Sequence, residues 1–252
     1  MGKIFFTFLF FNLIEIIFSQ NPADKIFQCS RVLSQNALSS SNSTLTDNQS
    51  KIDINYYKID MAINIEEENI NGSVIIKGSI GIDQPDSIEF DFADQMEVDS
   101  VKLEGNITSF EHENDLLSIP APDVVIIDGY SFNIEVFYNG SPPNTGFGSF
   151  NFDSHNDIPH IWTLSEPYGS RTWWPCKDDP SDKADSVDII ITIDENQIAV
   201  SNGILFEESS LNNGLKRYHW KGRYPIATYL VSVTTYPFTV WHDEYVSVNG
   251  DT

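Results

Sequence analysis

The chain has 252 residues, a formal net charge of −23 and a hydrophobic content of 40%. That apolar content is enough for a globular core and excludes a chain that is disordered throughout. The acidic surface repels nucleic acid and anionic membranes, so neither is expected as a partner, and any attraction to cationic partners is weak and screened by salt.

Residues 1–20 have the composition of a secretory signal peptide. Lys3 precedes an apolar run from Ile4 to Phe18, and this order is typical of signal peptides. A membrane anchor needs about 20 apolar residues, and Asn12 and Glu15 interrupt the run before that length is reached. We therefore expect export to the cell exterior or the periplasm, and no stable membrane insertion once the leader has been removed.

Residues 21–52 are predicted to form a short helix followed by a polar linker. Pro22 stands in the first turn of an amphipathic pattern that extends to Leu33, and proline is well tolerated at that position of a helix. Residues 34–50 are rich in Ser, Asn and Thr and have almost no apolar periodicity, which indicates a solvated linker.

From Tyr56 onwards, apolar and polar residues alternate as they do in half-buried β-strands. A second alternating run follows Asn71-Gly72, a turn signal, so the two runs are predicted to pair as an antiparallel hairpin. Further strands are predicted at Ile88–Phe92, Val98–Leu103, Leu116–Ile119, Val124–Ile127, Phe132–Tyr138, Val187–Ile193, Lys216–Trp220, Thr228–Thr234 and Phe238–Trp241. Short strands at regular spacing, with no sustained helical period, predict an all-β fold.

Sequons for N-linked glycosylation, with the pattern Asn-x-Ser/Thr, occur along the chain. They begin at Asn42, Asn48, Asn71, Asn106 and Asn139. Pro142 weakens the case for the last of them, and all matter only in a host that glycosylates exported chains.

The stretch from Trp162 to Pro180 holds three of the five Trp, one of the two Cys and three of the twelve Pro. Pro167, Gly169 and Pro175 restrict or free the backbone at points where a regular helix or a central strand would be broken. We therefore predict an irregular, tightly specified loop, and loops of this kind often carry binding groups on a rigid scaffold.

The order of residues in this loop resembles the signature of the N-terminal domain of zinc aminopeptidases of the aminopeptidase N type. That signature runs Thr-Gln-x-Glu-Pro-x-x-Ala-Arg-x-x-Phe-Pro-Cys-x-Asp-Glu-Pro-x-x-Lys-Ala. The matching positions are Thr163, Glu166, Pro167, Arg171, Pro175, Cys176, Asp178, Pro180, Lys183 and Ala184. The departures are Leu164 in place of Gln, Ser170 in place of Ala, Trp174 in place of Phe and Asp179 in place of Glu.

The resemblance covers about Tyr56 to Val248 and implies a saddle-like antiparallel β-sheet or sandwich domain over residues 53–252. In the family this domain is followed by a helical catalytic domain with a His-Glu-x-x-His motif that binds zinc. The chain stops at Thr252, where that domain would begin. The expected partners are therefore a downstream catalytic domain that carries the zinc and the amino terminus of a peptide substrate.

The sequence predicts no catalytic residue, metal ligand or cofactor in this chain. Zinc peptidases need two His one helical turn apart with a Glu between them, but His112-Glu113 is followed by Leu116 where the second His should stand. His155 and His160 have a spacing that belongs to no zinc pattern.

Glu166 is the candidate substrate-binding residue, because the resemblance places it at the carboxylate that holds the free α-ammonium of the substrate. The alternative is a solvated loop carboxylate. The remaining candidates are residues that shape the loop: Arg171, Trp174, Pro175, Cys176 and Asp178. Arg171 is expected to pair with Asp178 or Asp179.

Two questions stay open at the level of sequence. Cys29 and Cys176 either form one disulfide or stay as separate thiols, and the family usually has a buried thiol at the second position. The working hypothesis is an inactive N-terminal fragment of an exported zinc aminopeptidase. The alternative is a free-standing β-sandwich module that binds a protein or, through Trp173-Trp174, a carbohydrate.

Overall fold

The computed structural model describes residues 45–122, 129–143 and 149–241. The predicted signal peptide, the predicted helix after Pro22 and the predicted strand Val124–Ile127 lie outside these ranges. Within them the chain is built from β-strands and three short 3₁₀ turns, which confirms the all-β prediction. No helix in the described ranges is long and apolar enough to cross a membrane.

Fifteen strands are present in the described residues. They are β1 (Ile52–Asn64), β2 (Asn69–Ile80), β3 (Ser87–Asp91), β4 (Glu97–Leu103), β5 (Asn106–Thr108), β6 (Glu111–Glu113), β7 (Leu116–Pro120), β8 (Tyr130–Gly140), β9 (Phe150–His155), β10 (Ile158–Thr163), β11 (Ser186–Asp194), β12 (Ile198–Ser201), β13 (Ile204–Ser210), β14 (Leu215–Gly222) and β15 (Val233–Tyr236). The 3₁₀ turns are η1 (Gln49–Lys51), η2 (Ser170–Thr172) and η3 (Thr228–Leu230).

The largest sheet has eight strands in the order β13-β14-β11-β1-β2-β8-β4-β5. Every neighbouring pair is antiparallel except β1 and β11, which run parallel with Tyr56 opposite Ser186. Along β1 the side chains of Tyr57, Ile59 and Met61 are buried, as the alternation predicts. The opposite face of the sheet, which we name the outer face, carries polar and charged side chains such as Lys58.

Two smaller sheets complete the core. One has the order β12-β15-β10-β9 and the other β3-β7-β6. Phe90 on β3, Leu117 on β7 and Ile161 on β10 are fully buried and belong to the same hydrophobic cluster as the inner side chains of the large sheet. The alternating strands of the three sheets therefore share one core.

The turn of the first hairpin was predicted incorrectly. The chain reverses over Ile65–Glu68, and Asn71 and Gly72 lie inside β2, where they pair with Ala62 and Met61. Gly72 is required there for a different reason: a Cβ at this position would stand 2.6 Å from the backbone oxygen of Asp60. Close backbone approach, and not a turn, explains this glycine.

The end of the described chain also differs from the prediction. Thr228–Leu230 forms a 3₁₀ turn, and the strand is confined to β15. Phe238–Trp241 was predicted wrongly as a strand, since Val240 and Trp241 are exposed and have no strand partner in the described residues. Pro237, directly after β15, lacks the N–H that would continue the ladder.

Candidate functional site

Strand β10 leads directly into the Trp- and Pro-rich loop that was predicted from the sequence. We name residues Leu164–Pro180 the anchor loop. Thr163, the last residue of β10, accepts a hydrogen bond from the backbone N–H of Val233 through its Oγ1 at 2.9 Å, and the N–H of Leu164 donates to the carbonyl of Ser149 at 3.0 Å. The loop therefore starts from a backbone position that the small sheet holds in place.

The two adjacent tryptophans of the anchor loop are both fully buried. Trp173 donates from Nε1 to the Ser165 hydroxyl at 3.0 Å, and Trp174 makes an edge-to-face contact with Tyr57, with ring centroids 4.8 Å apart. The side chains therefore fix the loop against β1 of the large sheet. Their burial leaves no ring face for a ligand, which excludes sugar stacking on this pair.

An ion-pair network buried beneath the loop joins it to strand β3. Arg171 Nη1 lies 2.9 Å from Asp91 Oδ1, and Arg171 Nε lies 3.3 Å from Asp178 Oδ2. The sequence predicted that Arg171 pairs with Asp178 or Asp179, and the structure shows Asp178, whereas the pair with Asp91 was not predicted. Asp91 and Cys176 also exchange backbone hydrogen bonds as an isolated bridge, so main chain and side chains fix the same point.

The two carboxylates of this network are supplied with donors from distant parts of the chain. Asp91 Oδ2 accepts from the backbone N–H of Asp178 at 2.8 Å and from Gln49 Nε2 at 3.1 Å. Asp178 Oδ1 accepts from the Thr228 hydroxyl at 2.7 Å. Residues 45–51, at the end of the segment interpreted as a polar linker, thus contact β3 and the network.

Burial and the central cation act in opposite directions on these carboxyl groups. Burial raises the pKa of Asp91 and of Asp178, while the Arg171 guanidinium opposes the rise in both. Burial lowers the pKa of Arg171, but the Asp91 and Asp178 carboxylates have the larger combined effect, so the pKa of Arg171 is raised. The three charges are therefore mutually dependent.

A second buried pair fixes the loop to the start of β1. Lys177 donates from Nζ to the carbonyl of Ile52 at 2.7 Å and lies 2.6 Å from Asp182 Oδ2. The backbone N–H of Lys177 donates to the Tyr57 hydroxyl at 3.1 Å. A lysine that is 5% exposed needs partners of this kind, because an unpaired ammonium is costly to bury.

Cys176 is a free and fully buried thiol, as the family resemblance implies for this position. Burial raises its pKa well above the ordinary value, with further contributions from the Asp178 and Asp91 carboxylates. The neutral thiol packs as a small apolar group beside buried Pro175 and carries no reactive thiolate. Cys29 lies outside the described residues.

Glu166 differs from nearly all of the loop around it, because its side chain is exposed. It lies four residues before η2, and the Glu166-Pro167 peptide bond is cis. Among residues 45–122, 129–143 and 149–241, no hydrogen bond or ion pair engages its carboxylate. The structure therefore presents one free carboxylate on a loop whose other polar groups are largely used internally.

The small sheet β12-β15-β10-β9, whose strand β10 ends three residues before Glu166, has one buried face and one half-exposed face. Ile161 and Thr235 point into the core. The opposite face, which we name the small-sheet face, has Trp162, Thr234 and Val200 in register and is extended by His160 and Tyr236, whose rings meet edge to face. Exposed Leu164 and Phe238 continue the same patch. Asn151 and Asp153 of β9 lie opposite Trp162 and His160 on the same face, so polar groups flank the aromatic and apolar side chains.

The described residues do not contain a group of three or more His, Cys, Asp or Glu that could hold a metal ion. His112 contacts the carbonyl of Phe92, while His155 and His160 lie against Tyr236. These residues therefore do not fit a zinc site.

Sequence reasoning missed the partners that hold the loop from outside it. Asp91, Gln49 and Thr228 lie far from the loop in sequence, and nothing in the spacing links them to it. Nor did the sequence indicate the role of Asp91, because Ile88, Phe90 and Phe92 alternate with Glu89 and Asp91 as in a half-buried strand, although both carboxylates are buried.

The family described as the peptidase M1 N-terminal domain matches residues 53–230. Among solved structures, an M1 zinc metallopeptidase from Deinococcus radiodurans is 21% identical with a TM-score of 0.64, and the match covers 73% of this chain and 42% of that one. A mutant of it bound to a Tyr-Ser-Ala substrate gives a TM-score of 0.65 at 21% identity, with 75% and 43% covered. Native yeast LTA4 hydrolase gives a TM-score of 0.59 at 19% identity, with 81% and 32% covered. The chain thus spans less than half of each of these structures.

Proposed function

This chain belongs to the family of peptidase M1 N-terminal domains, and from that premise we propose that it is the substrate-anchoring domain of an exported zinc aminopeptidase. The domain comprises residues 53–252, preceded by a leader at 1–20 and a connecting segment at 21–52. It works together with a downstream catalytic domain and has no peptidase activity alone.

The observation that carries this proposal is the state of Glu166. Two buried tryptophans and a buried ion-pair network fix the anchor loop. The same loop carries Glu166, whose carboxylate is unpaired within the described residues. A solvated surface Glu needs no such support. A binding group does, because its position must be held to within a fraction of an ångström.

The chemistry of recognition follows from the charge of that group. A peptide with a free amino terminus carries an α-ammonium, whereas an internal peptide bond is neutral. When the cleft between this domain and its catalytic domain is partly dehydrated, the Glu166 carboxylate pairs with the ammonium and discriminates against internal amides. The distance between that carboxylate and the catalytic centre then sets which peptide bond is cleaved, namely the one after the first residue of the substrate.

In this proposal the catalytic domain would hold the zinc, which would supply Lewis-acid chemistry there. The residues of this chain bind and orient the substrate. Glu166 holds the amino terminus, and the Arg171 network beneath it keeps the loop from moving when the ammonium binds.

Activity should therefore require two parts. The purified chain should not hydrolyse aminoacyl amide substrates, whereas the same chain joined to its catalytic domain, in one polypeptide or as two, should release the N-terminal residue. A catalytic domain that is equally active without this chain would contradict the assignment. The control is a loop-disrupted chain, Trp173→Ser, which should fail to complement.

We propose the small-sheet face as the surface that docks on the catalytic domain, since it carries exposed apolar side chains such as Val200 and Leu164, and Leu164 precedes Glu166 by two residues. Leu164→Asp and Val200→Asp place charges on exposed positions of this face, so folding should be unaffected. We expect the affinity for the catalytic domain to fall at least tenfold, or about 1.4 kcal/mol, as measured by titration calorimetry. Ile107→Asp, at an exposed position of β5, is the matched control. Equal affinities for all three variants would show that docking uses another surface.

A further inference from the structure

The hairpin formed by β4 and β5 carries a sequon at an exposed edge of the large sheet. Its turn is Glu104-Gly105, with φ of +50° and +79°, and Leu103 pairs with Asn106 across it. Asn106 is the first residue of β5, the terminal strand of the eight-stranded sheet. Its amide makes one long contact, 3.3 Å from Nδ2 to the carbonyl of Glu104.

The structure distinguishes this sequon from two others whose asparagine amides are engaged. Asn48 Nδ2 donates to Ser87 Oγ at 3.0 Å and to Glu89 Oε1 at 2.7 Å, while its Oδ1 accepts from the N–H of Asp86. Asn139 Nδ2 donates to Asp99 at 3.0 Å. The Asn48 amide uses both of its hydrogens, so an oligosaccharide there would remove a hydrogen bond of the folded chain. The Asn139 amide uses one, and Asn139 stands in β8 between β2 and β4, where neighbouring strands crowd it.

The sequon at Asn71 lies in a different setting. Asn71 is exposed but stands in the interior strand β2, between Ala62 of β1 and Asn139 of β8 on the outer face. An oligosaccharide there would stand over neighbouring strands. Within the part of the chain that the structure describes, Asn106 has a neighbouring strand on one side only, and the next residue, Ile107, is 79% exposed. Of the sequons in the described residues, the one at Asn106 best accommodates a large polar group.

We propose that Asn106 is the site of an N-linked oligosaccharide that covers the β5 edge. The proposal rests on the export proposed above. The donor is a lipid-linked oligosaccharide diphosphate: a bond forms between Asn106 Nδ2 and the sugar C1 carbon, while the bond from C1 to the diphosphate oxygen breaks. The diphosphate leaves with that electron pair, and Nδ2 loses one proton. The Thr108 hydroxyl completes the sequon.

The modification would serve a physical need of the fold. An edge strand exposes unpaired backbone groups to strands of other molecules, and proteins block such edges with charges, bulges or covering groups. The opposite edge, β13, has Glu207 and Glu208 and a register shift. Strand β5 reads Asn-Ile-Thr and carries no charge. The strand is only three residues long, which already limits the exposed edge, and a hydrated oligosaccharide on Asn106 would cover the backbone groups that remain exposed.

The test expresses the full chain in eukaryotic secretory cells, once with its own leader and once with residues 1–20 replaced by an established leader. Secreted protein is treated with an amidase that releases N-glycans and converts the acceptor Asn to Asp, and peptide mass mapping locates the change. We expect occupancy at Asn106 and none at Asn48. Thr108→Ala should abolish it and increase self-association in light scattering, whereas Thr108→Ser should preserve both the modification and the monomer.

The use of two leaders allows the modification site and the export of the chain to be tested independently. Occupancy at Asn106 with the replaced leader alone, while the native form stays in the cell unmodified, would support the site and overturn export. Secreted protein with an unmodified Asn106 would overturn the site, whichever leader was used. Occupied Asn106 with identical light scattering for Thr108→Ala and Thr108→Ser would overturn the protective role of the oligosaccharide.

Discussion

Replacing Arg171 with Met should lower the free energy of unfolding by about 3–5 kcal/mol, the range for removing one partner of a buried ion pair. The side chain keeps its apolar stem but loses the guanidinium that pairs with Asp91 and Asp178. Two buried carboxylates then face each other without a cation. Urea unfolding, followed by tryptophan fluorescence, measures the loss because Trp173 and Trp174 are buried beside the network.

The pH dependence of that loss identifies its cause. Without Arg171, the pKa values of Asp91 and Asp178 should rise further above those of the unfolded chain, because burial is no longer opposed. A carboxyl group with a raised folded pKa binds more protons when folded, so stability falls as the pH increases from its unfolded pKa through its folded pKa. The penalty of Arg171→Met should therefore be small in acid and complete at neutral pH.

A surface pair provides the control for this experiment. Arg217 pairs with Asp60 on the outer face of the large sheet, with side chains 39% and 26% exposed. Arg217→Met should cost no more than about 1 kcal/mol and show little pH dependence, as is usual for exposed pairs. Equal losses for the two variants would mean that the Arg171 network does not hold the loop.

Replacing Glu166 with Ala should reduce kcat/KM of the assembled enzyme by an amount equivalent to about 2–4 kcal/mol for substrates with a free amino terminus. The carboxylate is the proposed partner of the α-ammonium, and the variant leaves that charge unpaired in the closed cleft. Because Glu166 is exposed and unpaired within the described residues, thermal unfolding and zinc content should not change.

Two comparisons make the Glu166 experiment decisive. Substrates with an acetylated amino terminus should respond much less, since they carry no ammonium for the carboxylate to hold. Glu166→Gln keeps the shape and removes the charge, so it should resemble Glu166→Ala if the ion pair matters. If kcat/KM falls equally for free and acetylated substrates, Glu166 has a structural role in the loop and does not bind the amino terminus.

Most of the architecture was accessible from the sequence, because strands buried on one face alternate apolar and polar residues. The alternation that begins at Tyr57 predicted β1 and its inner face correctly. Strands β9 and β10 were missed because Gly and Pro dominate the segment before them and Pro159 lies within β10. Strand β10 pairs with β15 only at Ile161 and Trp162, so Pro159 has a strand partner on one side, in β9, and is tolerated there although local propensity argues against a strand.

The anchor loop shows where sequence reasoning stops. Its irregularity, the buried thiol of Cys176 and the pairing of Arg171 with an aspartate of the loop follow from residue types and from the resemblance. The contacts with Asp91 and Thr228 do not, since they depend on how three sheets meet. Long-range pairing is set by tertiary packing, and residue types and local spacing carry little record of it.

The parallel pair of β1 and β11 has a consequence for how the chain acquires its structure. The pair joins two blocks of the large sheet, an earlier one made from β1, β2, β8, β4 and β5 and a later one made from β11, β14 and β13. Parallel strands cannot be connected by a tight turn, so the two blocks are far apart in sequence. On the ribosome, the first block must wait with one side of β1 unpaired until Asp194 has emerged. Contacts so distant in sequence slow folding, so this interval is when the nascent domain most needs protection from aggregation.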